Sequence, residues 1–342
     1  MKTKITQLPQ GFTARPGTME DIPSAVELFN VYSQHYLGIQ EFTANDLETE
    51  WSIPKFNPKT DIRLVHNPEN ELVGYIEVWT TSNPPVHPWV WGRVHPDYHK
   101  KGIGTYLQSW AEERAKQAIP RCSNAVRVAY RSGTDTSIEP PKRLFEAAGM
   151  KLIRHSFRML INLETQPPAP VWPEGITIRT VKDREAEIEA IYRVDDEAFK
   201  DHFGYVEEPY EEGLAHFSHW FLNDEEHKDP SLWFLAMDGD KIAAIALCRR
   251  RDWENEDYGH VSSLGVLRPY RKRGIGLALL RHAFREFYRR GKSGVTLGVD
   301  AQNLTGALRL YKRAGMHVHR QHDQYEKELR PGKEISVVNL EE

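Results

Sequence analysis

At 342 residues, the chain exceeds the roughly 100–200 residues of an ordinary domain, so two domains are expected, each long enough to bury its own core. Apolar residues at 39% and charged residues at 27% exclude a disordered or fibrous chain, and a formal net charge of -4 excludes a global pull toward nucleic acid or anionic membrane. The two cysteines, Cys122 and Cys248, lack Cys-x-x-Cys spacing and fit a reducing compartment; with no apolar segment in MKTKITQLPQ and no run near the ~18 residues of a membrane span, a cytoplasmic protein is expected.

Taken from the start, FTARPGTMEDIPSAVELFNVYS predicts a short strand, a turn and a helix with Ile22, Ala25, Val26 and Phe29 on one face. IRLVHNPENELVGYIEVW, from Ile62 to Trp79, predicts a β-hairpin, and Trp89 to Val94 a further strand. A basic glycine loop and an amphipathic helix follow, HKKGIGTYLQSWAEERA, then a strand from Ala125 to Tyr130 and a short helix ending in Ala-Gly-Met at 148–150. The proline-rich ETQPPAPVWPEG, 164–175, favours an extended spacer.

The order then repeats. GITIRTVKDREAEIEAIYRVDDEAF, from Gly175, matches the first strand and helix, and LWFLAMDGDKIAAIALCRR, from Leu232, matches the hairpin with Asp-Gly at its turn. A strand from Val261 to Leu267 runs into RKRGIGLALLRHAFREFYRRG; a strand from Gly294 to Val299 and a helix ending in Ala-Gly-Met at 314–316 complete the copy. This is a mixed α/β order, a sheet flanked by helices in two tandem copies. The expected division is a first domain over 1–165, a linker over 166–174, a second domain over 175–330, and a tail or short docking strand over 331–342.

In the second copy Arg271, Lys272, Arg273, Gly274, Ile275 and Gly276 follow a strand and open a helix. Free N–H groups at such a helix start, a favourable dipole and basic side chains make an anion site, and the glycines let a phosphate approach the backbone. A Walker loop is disfavoured because Leu277 and Ala278 follow the second glycine, and a dinucleotide fingerprint because Leu279 stands where a small residue is needed. The recurrence as His99, Lys100, Lys101, Gly102, Ile103 and Gly104 argues against an incidental glycine turn.

Arg-x-x-Gly-x-Gly after a strand carrying Leu264, Gly265 and Val266, then Asn303 and Leu310-Tyr311-Lys312-Arg313-Ala314-Gly315-Met316, resembles the GCN5-related N-acetyltransferases, the GNAT superfamily. The tandem layout is similar to that of mycothiol-synthase-like GNAT proteins. The resemblance implies acetyl-CoA in a cleft between two parted strands, its pyrophosphate on the amides of 271–276 and its pantetheine arm along Leu264 to Val266. It implies Tyr311 as the acid that protonates the departing thiolate, and Asn303 as a pantetheine contact or a helix cap. The family's glutamate base has His260 in its place, a side chain able to accept a proton or simply to end a strand.

Aligned with Tyr311 in the first copy is Phe145, which has no proton to give. That copy keeps both glycines, so its loop is a candidate second CoA site without catalysis, with a structural role or one in shaping the acceptor site. The expectation is transfer of an acetyl group to a primary amine of a small molecule or peptide, by a monomer or homodimer needing no metal, nucleic acid or membrane. The alternative is a non-catalytic acyl-CoA-binding or sensing protein. His216 and His219 share a helical face but lack a third ligand cluster, and the basic helix over 281–292 interleaves charge with a buried stripe.

Overall fold

The computed structural model describes residues 6–302 and 306–338. In chain order its elements are β1 (Thr13–Pro16), α1 (Ile22–Leu37), α2 (Ala44–Trp51), α3 (Pro58–Asp61), β2 (Ile62–His66), β3 (Leu72–Trp79), β4 (Trp89–Val94), α4 (Ile103–Ala115), β5 (Val128–Asp135), α5 (Glu139–Ala147) and β6 (Lys151–Asn162). The second set is β7 (Ile176–Thr180), α6 (Arg184–Phe199), α7 (Tyr210–Asn223), β8 (Trp233–Asp238), β9 (Lys241–Arg249), β10 (Tyr258–Val266), α8 (Ile275–Arg289), β11 (Gly294–Asp300), α9 (Ala307–Arg313) and β12 (His317–Arg330). No helix among the described residues is long and apolar enough to cross a membrane.

The chain divides into two compact units, one of residues 1–154 with 322–335, the other of 155–321 with 336–342. In the first, β1 to β4 pair antiparallel in sequence order and β5 runs parallel to β4. The strand beyond β5 is the later part of β12, in register from His322 opposite Asp135 to Arg330 opposite Val128. Two cores form on this sheet: Ile22, Phe29, Leu47 and Trp51 gather with Leu64 and Tyr75, while Val73, Ile76, Ile103, Leu107 and Phe145 gather in the other.

The second unit repeats the plan. β7, β8, β9 and β10 pair antiparallel, and β11 runs parallel to β10. Its last strand is the later part of β6, from Ser156 opposite Asp300 to Asn162 opposite Gly294. Each sheet is therefore completed by the strand that sequence assigns to the other copy. That is where the units differ from the expected division at 165 and 175. A strand's alternation reports which face it buries, not which neighbour it bonds.

The proline-rich stretch keeps no helix or strand, but it lies on α8: Arg285 donates to the Pro167 carbonyl at 2.9 Å, and Trp172 packs edge-on against His282. After β12, Lys333 exchanges bonds with Ala125 and Arg127 of the first unit at 2.7 and 2.9 Å, and Val337 exchanges bonds with Gly204 and Tyr205 of the second at 2.8 and 3.0 Å.

Candidate active site

The second unit opens a cleft because two parallel strands part. Among the described residues β10 and β11 pair at Tyr258–Gly294, Gly259–Val295 and His260–Thr296, and from Val261 to Val266 that edge of β10 has no strand partner. The opposite edge stays bonded to β9, with Leu264 opposite Ala246, Gly265 opposite Ile245 and Val266 opposite Ala244. An open strand edge presents unpaired N–H and C=O groups suited to an extended amide chain. At the start of the split the register slips between Val261 and Ser263, a bulge that seats Ser262 as an extra residue and re-aims the side chains beside it.

The glycine loop lies at the end of that strand. Lys272 takes φ 63° and Gly274, the N-cap of α8, φ 91°, and a Cβ built on Gly274 would meet open space. Ala278 donates back to the Gly274 carbonyl at 3.0 Å. The N–H groups of 272–277 find no acceptor among the described residues, which leaves several donors at one helix start. Lys272, Arg273 and Gly274 are exposed and Ile275 and Gly276 buried. Arg271 does not extend outward. Its guanidinium donates to the carbonyls of Val266 at 3.1 Å and Ala198 at 3.0 Å and to Asp201 at 2.6 Å, bracing the loop against β10 and α6.

In the first unit His99 makes the corresponding brace, its Nε2 2.9 Å from the Val94 carbonyl. Lys100 and Gly102 repeat the left-handed pair with φ 62° and 83°. The match reaches single atoms: a Cβ on Gly276 would lie 3.2 Å from Leu310 Cδ2, and one on Gly104 3.2 Å from Leu144 Cδ2. The residues after those two leucines are Tyr311 and Phe145, each accepting a backbone bond from the methionine of Ala-Gly-Met, at 3.0 and 2.9 Å. Tyr311 is 8% exposed, and burial pushes its phenol up to about 12. Asn303 lies outside the described residues.

A cavity of about 510 Å³ opens in the first unit, where β4 and β5 are paired only at Trp89–Arg131 and Val90–Ser132. Its lining includes Lys100, Gly102, Gly104, Leu144 and Phe145, so the loop and the residue aligned with Tyr311 face one space. The sequence comparison placed both in one motif; the cavity itself was not visible there.

His260 is buried at the last β10–β11 pair. Thr296 Oγ1 donates to Asp252 and accepts from His260 Nδ1 at 2.8 Å; Arg158 pairs with Asp252, and Trp253 covers the imidazole at 4.7 Å. Burial lowers the ring to about 4 against the opposing pull of Asp252, so it is neutral at physiological pH with its Nε2 lone pair unprotonated. For Asp252, burial acts upward, but the His260 hydrogen bond and the Arg158 charge outweigh it and hold the carboxyl below the usual range.

Sequence reasoning passed over a second polar group at the bulge. Ser262 Oγ is 2.8 Å from His227 Nε2, and His227 Nδ1 is 2.9 Å from Asp224 Oδ2. Arg249 pairs with the same carboxylate at 2.8 Å. Burial acts upward on Asp224, but the His227 bond and the Arg249 charge hold it at about 2. Ser263 donates to Asp195, whose carboxyl burial raises to about 6 against that bond. The available signal was two adjacent serines in an otherwise apolar strand. His216 lies 3.7 Å from Glu208 and His219 3.1 Å from Asn223; among the described residues no group of three or more His, Cys, Asp or Glu could hold a metal ion.

The model of the acetyltransferase (GNAT) family matches residues 25–139 and 188–316, one region in each copy. Mycothiol acetyltransferase from Thermobispora bispora is 28% identical over 255 residues, 72% of this chain and 77% of the relative. That from Streptomyces scabiei is 27% identical over 261 residues, 75% and 77% of the two chains. Among solved structures, a GCN5-related N-acetyltransferase from Sphaerobacter thermophilus shares 34% identity with a TM-score of 0.77 over 97% of this chain and 100% of that one. A tandem GNAT protein from the clavulanic acid biosynthesis pathway has a TM-score of 0.68 at 14% identity, covering 94% and 100%, a likeness of fold.

Proposed function

Because the chain belongs to the acetyltransferase (GNAT) family and is an N-acetyltransferase of two tandem copies, we propose that its second copy moves the acetyl group of acetyl-CoA to a primary amine of a small molecule or peptide, by direct attack within a ternary complex. One observation carries this reading: the open edge of β10 leads directly into the unbonded N–H groups of 272–277. The diphosphate of CoA sits on those amides, with Lys272 and Arg273 beside it and Arg271 holding the loop. The pantetheine amides bond the backbone of Leu264, Gly265 and Val266, which points the thioester toward the site of strand separation.

Tyr311 then hydrogen-bonds the sulfur as the C–S bond breaks. A phenol near 12 stays protonated at physiological pH. Against an ordinary thiol near 8.5, complete transfer of its proton is uphill by roughly 5 kcal/mol. Its donation is therefore concerted with release of the acidic proton on the newly acylated nitrogen, which returns to the phenolate. One candidate for the base is His260, a neutral ring at the last β10–β11 pair, through Nε2. Its low basicity suits it to holding a proton in transit, not to storing one.

The first copy, with its cavity and Phe145, is proposed to hold a second CoA without turning it over. The test is release of CoA thiol from acetyl-CoA on addition of a panel of primary amines and peptides. Turnover with at least one amine is expected. Binding of acetyl-CoA without thiol release from any of them would establish the non-catalytic sensor instead.

A further inference from the structure

We propose that Ser262, backed by His227 and Asp224, takes the proton of the acceptor amine. The inference rests on the acetyl-transfer reading above and adds to it a proton acceptor that no motif announces. Ser262 is the extra residue of the β10 bulge and stands two positions past the last β10–β11 pair. Its side chain therefore leaves the strand where the cleft begins. Because of the bulge, Ser262 and its neighbour Ser263 both bond groups from the segment between β7 and β8, His227 after α7 and Asp195 on α6, where a regular strand would send them to opposite faces.

The chemistry of the chain is directional. Asp224, ionised and paired with Arg249, only accepts, so His227 Nδ1 carries the hydrogen and donates to it. In a neutral ring Nε2 is then an acceptor, and the Ser262 hydroxyl is its donor. That commits the serine's hydrogen inward and leaves its oxygen lone pairs to face an incoming amine. Every charged or titratable group facing His227 fits a ring that gains a proton only in passing. Asp224 is at 2.9 Å, Arg249 reaches it from β9 through Asp224, and Arg184 of α6 donates to its carbonyl at 3.3 Å. Phe221 at 4.7 Å and Trp233 at 6.5 Å wall the imidazole, and the residue is 6% exposed, so its outlet is through Ser262, which is only half-buried. Burial lowers the ring's pKa while Asp224 opposes that, keeping the base form at neutral pH.

The step balances as follows. A bound ammonium gives one proton to Ser262 Oγ as the serine's own proton passes to His227 Nε2. The freed nitrogen pair attacks the thioester carbon, forming C–N. The C–S bond breaks, sulfur takes a proton from Tyr311, and the acylated nitrogen returns one to the phenolate. The imidazolium, stabilised beside Asp224, releases its proton to solvent. Ammonium and acetyl-CoA become amide, CoA thiol and one proton. Ser262 is thus a catalytic residue, and His227 and Asp224 are positioning residues acting through it.

The experiment compares wild type, Ser262→Ala and His227→Gly as full-length chains, using acetyl-CoA and the best amine of the panel. kcat/KM is followed between about pH 6 and pH 9, on both sides of the unperturbed histidine value. Ser262→Ala should lower kcat/KM about 100-fold near neutral pH and leave the Kd for acetyl-CoA unchanged by calorimetry. Its profile should climb about tenfold per pH unit with the fraction of neutral amine, whereas the wild type levels off. His227→Gly should lose activity similarly and regain part of it with added imidazole, in proportion to the fraction of the added base that is neutral, which filling a cavity would not require. Wild-type profiles in both variants would overturn the relay alone. So would an acetyl adduct on Ser262, seen by intact mass after acetyl-CoA is mixed without amine. If the wild type releases no thiol with any amine, the transferase reading fails and the relay with it.

Discussion

Tyr311 and Phe145 differ by one oxygen, and the two copies hold them in matched surroundings, each following a leucine packed on the second glycine of its loop. Tyr311→Phe therefore converts the second copy into the first at that atom. Turnover should fall about 100-fold while calorimetric affinity for acetyl-CoA stays the same; a variant of unchanged kcat would remove Tyr311 from the reaction. His260 makes a second residue-level prediction, on stability. Its folded pKa of about 4 lies below the unfolded value near 6.5, so the unfolded chain binds the proton first as pH falls. The contribution of the neutral ring is complete above pH ~6.5 and is lost as pH drops toward ~4, on the order of 3 kcal/mol in all. His260→Gln, uncharged throughout, should unfold at a urea midpoint less sensitive to pH over that window. Equal pH dependence in both proteins would show that the buried imidazole is not responsible.

At the scale of the element, the loop 271–276 separates two roles that sequence combined. The glycines, the strand before and the helix after were legible because loop chemistry and helical periodicity are local. The side chain of Arg271 was expected among the phosphate ligands, but two of its three partners, Ala198 on α6 and Asp201 just after it, lie some seventy residues earlier, and no local pattern records them. Asp201 distinguishes the roles, since it anchors both Arg268 and Arg271. If the arginines were direct phosphate ligands, Asp201→Asn would remove a competing negative charge and tighten CoA binding. If they brace the loop, as the bonds to Val266 and Ala198 indicate, the same change loosens the amide cradle. Affinity for CoA should then fall about tenfold, ~1.4 kcal/mol, by calorimetry at fixed salt; tighter binding would refute the brace. The bulge at Ser262 was not legible for a related reason. A one-residue insertion shifts hydrogen-bond register against β9, and only the partner strand reveals it.

Across the whole molecule, self-comparison of the halves was enough for two similar α/β units, but bounds at 165 and 175 leave each closing strand in the copy whose sheet it does not join. Residues 156–162 pair with β11, while 322–330 pair with β5. The second exchange carries Glu326 to Arg127 and Arg131, at 2.5 and 2.9 Å, and brings Tyr325 to Phe145 at 5.3 Å between ring centres. A fragment cut at the apparent linker, residues 175–342, would therefore keep every helix of the second copy but leave β11 without its antiparallel neighbour. It would also lose Met159, which is fully buried in that core. Loss of a strand exposes both a row of backbone groups and the apolar face beneath them. That fragment should aggregate or unfold without a cooperative transition, whereas residues 151–321, which retain the strand, should unfold cooperatively and bind acetyl-CoA. Removing residues 322–342 from the full chain takes a strand from the first unit and the Val337 bonds to Gly204 and Tyr205 from the second; the first unit should be the more destabilised, read as two separated thermal transitions with thiol release by the second retained. A cooperative, CoA-binding 175–342 fragment would mean that the sheet of the second copy closes without the strand from β6.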